Sequence, residues 1–378
     1  MTLLGWVGLT LGAVVALLVA EAVYLSVVLR WEDEKTNGIG YYGLPAPERA
    51  RFKRTLGRHA FLLYPILRLA GRSKLDFRKA RFQHRGVSGP TGSCSAESFA
   101  RAEGYRPRPE DVFVVTQMKC GTTWMQHVVY EILHRGGGNL VETGTALYAV
   151  SPWLEGRKSV SIEQAPLLGT ERPSRIIKTH LPASLCPFSP EARYVYVARH
   201  PLSCFASCVD FVRTNVGGMA PEIEAFEEWF TTPELMWWAT WTEHVKGWWQ
   251  LARREHNVLF LHFEEMKRNL LGIIRQVAEF LGVAPLTDAE LARIAEKCGF
   301  EYMQRHQEAF EMHPPHILQT DAELFVRGTA DRHKDVPDLV QRRIRSWCVK
   351  EMEGGGFPLE LAYPDVVAAS SQTGPAPR

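Results

Sequence analysis

The 378-residue sequence lacks several signatures that would set its class outright. It contains no Asn-x-Ser/Thr sequon: Asn37, Asn139, Asn215, Asn257 and Asn269 all fail at the third position. No two cysteines have C-x-x-C spacing, and the seven thiols (Cys94, Cys120, Cys186, Cys204, Cys208, Cys298 and Cys348) are odd in number and scattered. A disulfide framework and a cysteine zinc site are therefore not expected, and the thiols read as small buried hydrophobes. Together with the missing sequon, this points to a reducing, cytoplasmic setting. An excess of one charge sign is also lacking: the formal net charge is only +2. Any anion site must be built locally, and no nucleic-acid partner is expected. There is no internal repeat or long low-complexity tract. There is no G-x-x-x-x-G-K-[ST] phosphate loop either, which argues against a nucleotide kinase of that type.

What is present is ample apolar content, 46% hydrophobic against 23% charged, enough for one large domain or two ordinary ones. Leu3 to Leu29 is almost uniformly apolar, interrupted by Glu21. At about 1.5 Å per residue such a helix crosses a roughly 30 Å hydrocarbon layer. Ala20-Glu21-Ala22 has the small-x-small form of a cleavage site, the mark of a signal peptide, but no Lys or Arg precedes the apolar run. The expectation is a retained single-pass anchor over residues 1–30. Arg30, Lys35, Arg49, Arg51, Lys53, Arg54 and Arg58 follow it, placing the rest of the chain on the cytoplasmic side. Residues 31–105 read as a basic connector. Its apolar run Ala60 to Ala70 is too short to span, and reads as a core helix or an interfacial one.

Beyond it the pattern sharpens into an expected folded domain over 106–363. Val112–Thr116, Arg175–Thr179, Arg193–Ala198 and Asn257–Phe263 read as short buried strands. Helices are expected from Thr122, from Pro201, over Glu234–His256, over Leu270–Leu281 and from the capping box Thr287-Asp288-Ala289-Glu290. Strands alternating with helices imply an α/β fold: a mostly parallel central sheet with helices on both faces. Residues 364–378 turn small and polar and read as a flexible tail.

The stretch Val112 to Leu133 is a strand, a tight loop and a helix, with Met118-Lys119-Cys120-Gly121-Thr122-Thr123-Trp124 at the junction. Free backbone N–H groups and the positive helix end converge there. Gly121 allows close approach to the backbone, Thr122 and Thr123 add hydroxyls, and Lys119 adds a charge. This suits a phosphate-like group, although alone it is equally a capped helix beside a surface lysine. Three further stretches add to it: Lys178-Thr179-His180-Leu181-Pro182 after a strand, Arg199 opening a strand-to-helix turn with Ser207 two helical turns on, and Val258 to Asn269.

With these in order, the chain from Asp111 to Lys350 resembles the sulfotransferases that use 3′-phosphoadenosine 5′-phosphosulfate (PAPS). The family's P-K-S-G-T-T-W loop corresponds to Met118–Trp124, and K-T-H-L-P is unchanged at Lys178–Pro182. The resemblance implies a P-loop-like fold and sulfuryl transfer to a hydroxyl or amine, with His180 as base and Lys119 and Lys178 stabilising charge. It also implies donor contacts from Lys119, Cys120, Gly121, Thr122, Thr123 and Trp124, with Arg199 and Ser207 at the 3′-phosphate. Phe263 stands where many members have tyrosine, and Phe300 in Cys298-Gly299-Phe300 stands near the base. Arg327 and Gly328 match the family's C-terminal loop, but Asp331 replaces its second glycine. No metal is implied. The acceptor, whether small molecule, lipid or glycan, and the oligomeric state are not specified. Two other readings stay open: a P-loop-type nucleotide kinase, and a non-catalytic nucleotide-binding membrane protein.

Overall fold

The computed structural model describes residues 2–28, 42, 44–55, 57–58, 73–157, 159–311 and 332–370. Among the described residues one helix, Leu3–Val28, is long and apolar enough to cross a membrane by length and composition, and its spanning window is not buried against the rest of the chain. The apolar run 60–70 lies outside the described residues.

The folded unit begins before the expected boundary. Phe77 and Phe99 are core residues. Between them β1 (Arg81–His84) and β2 (Val87–Pro90) form an antiparallel hairpin, followed by the Ala96–Glu103 helix. Ser95 and Ser98 close a reciprocal capping box at that helix's start. Residues 73–105 are thus a packed part of the domain rather than a connector.

The central sheet has β3 (Asp111–Val115), β4 (Arg175–Thr179), β5 (Arg193–Ala198) and β6 (Val258–His262) in the order β4-β3-β5-β6, all parallel. Their runs of branched and aromatic residues suit a sheet covered on both faces. Alternate positions serve different cores: Phe113, Val115, Ile177, Tyr194 and Tyr196 on one side, Val112, Val114, Ile176, Val195 and Val197 on the other. The register aligns the strand ends. Val115 lies beside Thr179 and Tyr196, and Ala198 beside His262. Thr116, His180, Arg199 and Phe263 therefore all leave the sheet at one carboxyl edge, the usual place for a ligand in such folds.

Two further expectations are corrected. The helix expected over Glu234–His256 is shorter, Trp241–Arg254, and Thr240 caps it with Glu243 in a reciprocal box. The segment before it is a loop in which Trp238 (φ 60°) and Ala239 (φ 74°) are both left-handed. That conformation costs an L-residue roughly 1–2 kcal/mol, so other contacts hold it. Second, Pro364–Ser370 is helical rather than a loose tail. Its Val366 is fully buried, and Asp365 pairs with His200 at 3.1 Å.

Truncation after Tyr363 tests the second correction. Loss of the buried Val366 side chain alone is expected to lower unfolding stability by about 1.5–3 kcal/mol. An unchanged denaturant midpoint would show the segment to be dispensable.

Candidate active site

The loop after β3 is shaped by its own backbone. Lys119 (φ 65°) and Gly121 (φ 96°) are left-handed around Cys120, and the Thr122–Leu133 helix starts at once. Such alternation turns successive N–H groups toward one side and makes an anion nest at a helix N-terminus. Glycine is required at 121 on two counts. Its φ is positive, and a Cβ there would lie 2.7 Å from the Phe263 ring. Cys120 is buried with its Sγ 3.6 Å from that of Cys204, and burial pushes its thiol pKa up. It packs beneath the loop.

Arg199, at the end of β5, donates from Nη1 to the Lys119 carbonyl at 2.8 Å, and its guanidinium lies 4.5 Å from the centre of the Phe263 ring. Its Nε is buried without a hydrogen-bond partner among the described residues. Phe263 also meets Trp124 edge-on at 5.5 Å, and Trp124 Nε1 donates to the Cys298 carbonyl at 2.8 Å. One aromatic pair thus links the loop, Arg199 and the segment leading to Phe300. Phe300 itself is 39% exposed, beside a surface cavity of about 580 Å³ shared with Gly299 and Tyr302. Ser207 is buried in the Pro201–Val216 helix.

His180 follows the last residue of β4. Its Nδ1 lies 2.9 Å from the Thr116 carbonyl oxygen. A carbonyl only accepts, so Nδ1 carries the proton and Nε2 carries the lone pair. Burial, seconded by the Lys178 charge, holds the His180 pKa well below the ordinary histidine value, so the ring is neutral near pH 7. The Thr116 hydroxyl contacts Thr122 Oγ1 at 2.6 Å. A single threonine therefore joins the histidine to the anion-binding helix. Beneath His180, the buried Glu155 carboxylate accepts from its backbone N–H and from Thr179 Oγ1, each at 2.8 Å. Burial raises the Glu155 pKa.

Lys178 Nζ lies over the rings of Trp153 (4.0 Å) and Tyr148 (5.0 Å). Trp153 also meets the His180 ring edge-on at 5.7 Å, and Trp238 lies 4.9 Å from it. Lys178 and His180 thus border one aromatic wall. The Trp241–Arg254 helix braces these backbones: His244 Nε2 donates to the His180 carbonyl at 2.9 Å, Trp241 Nε1 to that of Arg199 at 2.9 Å, and Trp248 Nε1 to that of Leu181 at 3.2 Å. Arg327, Gly328 and Asp331 lie outside the described residues.

A sulfotransferase domain model matches residues 109–356. Sulfotransferase 1C2 of Oryctolagus cuniculus is 30% identical over 294 residues, covering 74% of this chain and 96% of that protein. This chain belongs to the sulfotransferase family. Sulfotransferase 1A1 of Mus musculus is 34% identical over 254 residues, covering 65% of this sulfotransferase and 85% of its relative. Among solved structures, a mouse sulfotransferase complexed with PAP aligns at TM-score 0.56 with 21% identity, covering 78% of this chain and 98% of the other. Retinol dehydratase in complex with androsterone and the inactive cofactor PAP aligns at 0.59 with 22% identity and the same coverages. At such identity these two likenesses show the fold.

The sequence pattern assigned roles to His180, Lys178, Arg199 and the loop of this sulfotransferase, and none individually to Thr116, Gln117, Tyr148, Trp153 or Glu155. Thr116 and Gln117 carry a faint positional signal before the loop. Tyr148, Trp153 and Glu155 fall in a loop, 140–173, of the kind that lines acceptor pockets, and Trp238 belongs to a tryptophan-rich run whose earlier members could wall one, although core packing is the commoner role for such rings. Gly121→Ala is expected to destabilise the fold. Adding Phe263→Ala relieves the contact but not the backbone cost. In denaturant unfolding, the double variant should fall short of additivity by about 0.5–3 kcal/mol; strict additivity would separate Phe263 from the loop.

Proposed function

We propose that this sulfotransferase takes PAPS as donor and transfers its sulfuryl group to an acceptor hydroxyl or amine, with His180 as general base. The observation that carries this reading is the Nδ1 hydrogen bond from His180 to the Thr116 carbonyl. It fixes the tautomer so that the Nε2 lone pair is left at the sheet edge that holds the anion nest, and burial keeps the ring neutral.

The residues fit the donor. Lys119, Thr122, Thr123 and the loop N–H groups would hold its phosphosulfate end, with Cys120 and Gly121 supplying backbone. Arg199, whose Nε has no hydrogen-bond partner among the described residues, and Ser207 would hold the 3′-phosphate. Arg327 and Gly328 belong to this reading by the family pattern. Trp124, Phe263 and Phe300 would offer faces to the adenine. When bound, PAPS supplies an electrophilic sulfuryl group on a phosphate leaving group. His180 Nε2 receives the acceptor's proton, while Lys119 and Lys178 offset the charge that builds on the transferring and departing oxygens. This arrangement favours in-line transfer and calls for no metal. The relatives solved with PAP support the choice of donor.

The aromatic wall of Tyr148, Trp153 and Trp238 suits an acceptor with an apolar body, a small molecule or a lipid, although a glycan presents apolar ring faces too. The Leu3–Val28 helix is read as a single-pass anchor, with the domain on the cytoplasmic side as the following basic residues favour.

His180→Ala separates binding from chemistry. Calorimetry should find PAP binding within about threefold of the parent, while transfer of radiolabelled sulfate from PAPS into lipid and metabolite extracts falls by about 10²–10⁴-fold. Equal transfer by both proteins would remove His180 from the chemistry, and absence of PAP binding by the parent would remove the donor assignment.

A further inference from the structure

Gln117 immediately precedes the anion-binding loop and is fully buried. Its Nε2 donates to two backbone carbonyls of the Trp237–Ala239 strap, at 2.9 Å to Trp237 and 2.6 Å to Ala239. Its Oε1 accepts the backbone N–H of Met118, the next residue of the loop. Both amide hydrogens and the oxygen are thus used, and a single side chain joins two segments 120 residues apart.

The strap depends on such a clamp. Trp238 and Ala239 are both left-handed, a conformation that relaxes readily unless it is over-determined. The indole N–H groups of Trp237 and Trp238 are buried without partners among the described residues, so their own hydrogen bonds do not fix them. On the far side the Trp238 N–H donates to the Ser88 carbonyl at 2.8 Å, and Ser88 Oγ donates to the Glu234 carbonyl. Ser88 holds one edge of the strap and Gln117 the other. Between them they set the Trp238 ring 4.9 Å from His180 and 5.9 Å from Trp153.

We propose that Gln117 is a positioning residue that couples the donor loop to the acceptor wall, so that an occupied loop tightens the Trp237–Ala239 strap and fixes Trp238 beside His180. The coupling rests on the donor reading above. It is reciprocal: whatever steadies the strap also steadies the loop.

Amide hydrogen exchange of the 235–241 peptide, followed by mass spectrometry with and without saturating PAP, reads the coupling without knowledge of the acceptor. In the parent protein PAP is expected to slow exchange at Trp238 by about five- to tenfold, within the usual range of coupling between sites. Gln117→Leu should exchange faster without ligand and show no PAP response, although calorimetry still detects PAP binding. Adding Ala239→Gly lets the strap hold its left-handed turn without a Cβ cost. That second change should restore slow exchange without restoring the PAP response, which a merely structural role for Gln117 does not predict. The same PAP response in the parent and in Gln117→Leu, or no response in a parent that binds PAP, would overturn the proposal. A parent that fails to bind PAP refutes the donor reading. In that case, unaltered ligand-free exchange in Gln117→Leu would also refute the clamp, and faster exchange would confine Gln117 to the strap and end the coupling. Should Gln117→Leu fail to fold, Gln117→Asn, too short to reach both carbonyls, is read by the same criteria.

Discussion

The site depends on the hydrogen bond from His180 Nδ1 to the Thr116 carbonyl. It is possible because parallel strands β3 and β4 end level, so the residue after each lies beside its counterpart. It fixes the ring's tautomer, and the same threonine reaches Thr122 at the start of the loop helix. Sheet register therefore sets where a proton acceptor lies relative to an anion nest. Burial then keeps the ring neutral, since a charged imidazole would be desolvated beside the Lys178 cation.

A second layer of polar contacts holds that arrangement. The His180 backbone is gripped from below by Glu155 and from behind by His244. His244 in turn accepts a hydrogen bond at Nδ1 from the Tyr196 hydroxyl. Buried networks of this kind are rigid when every member is satisfied. The tryptophans of the Trp241–Arg254 helix act in the same way: their rings fill the core, and two of their N–H groups pin the carbonyls of Arg199 and Leu181. Packing and catalytic geometry are thus carried by the same side chains.

The four central strands could be read from the sequence because both faces are apolar and each run is short. His180 and Arg199 could be read because they follow strands directly, within recognisable local patterns. Residues whose roles arise through distant pairing could not. Glu155 meets His180 across 25 residues and Gln117 meets Trp237 across 120, and neither pairing leaves a periodic trace. The aromatic content from Glu234 onward suggested one long helix and hid the Thr240–Glu243 capping box that marks its true start. The polar composition at the chain's end likewise hid Val366, whose burial comes from contacts with the rest of the domain.

The most direct test is the protonation state of His180 in the ligand-free protein at pH 7, read by long-range ¹⁵N–¹H correlation with His180→Ala for assignment. The expected result is a neutral ring with the proton on Nδ1 and a pyridine-type shift at Nε2. A neutral ring with its proton on Nε2 would contradict the hydrogen bond to Thr116, and an imidazolium signal would contradict the neutral base built on it.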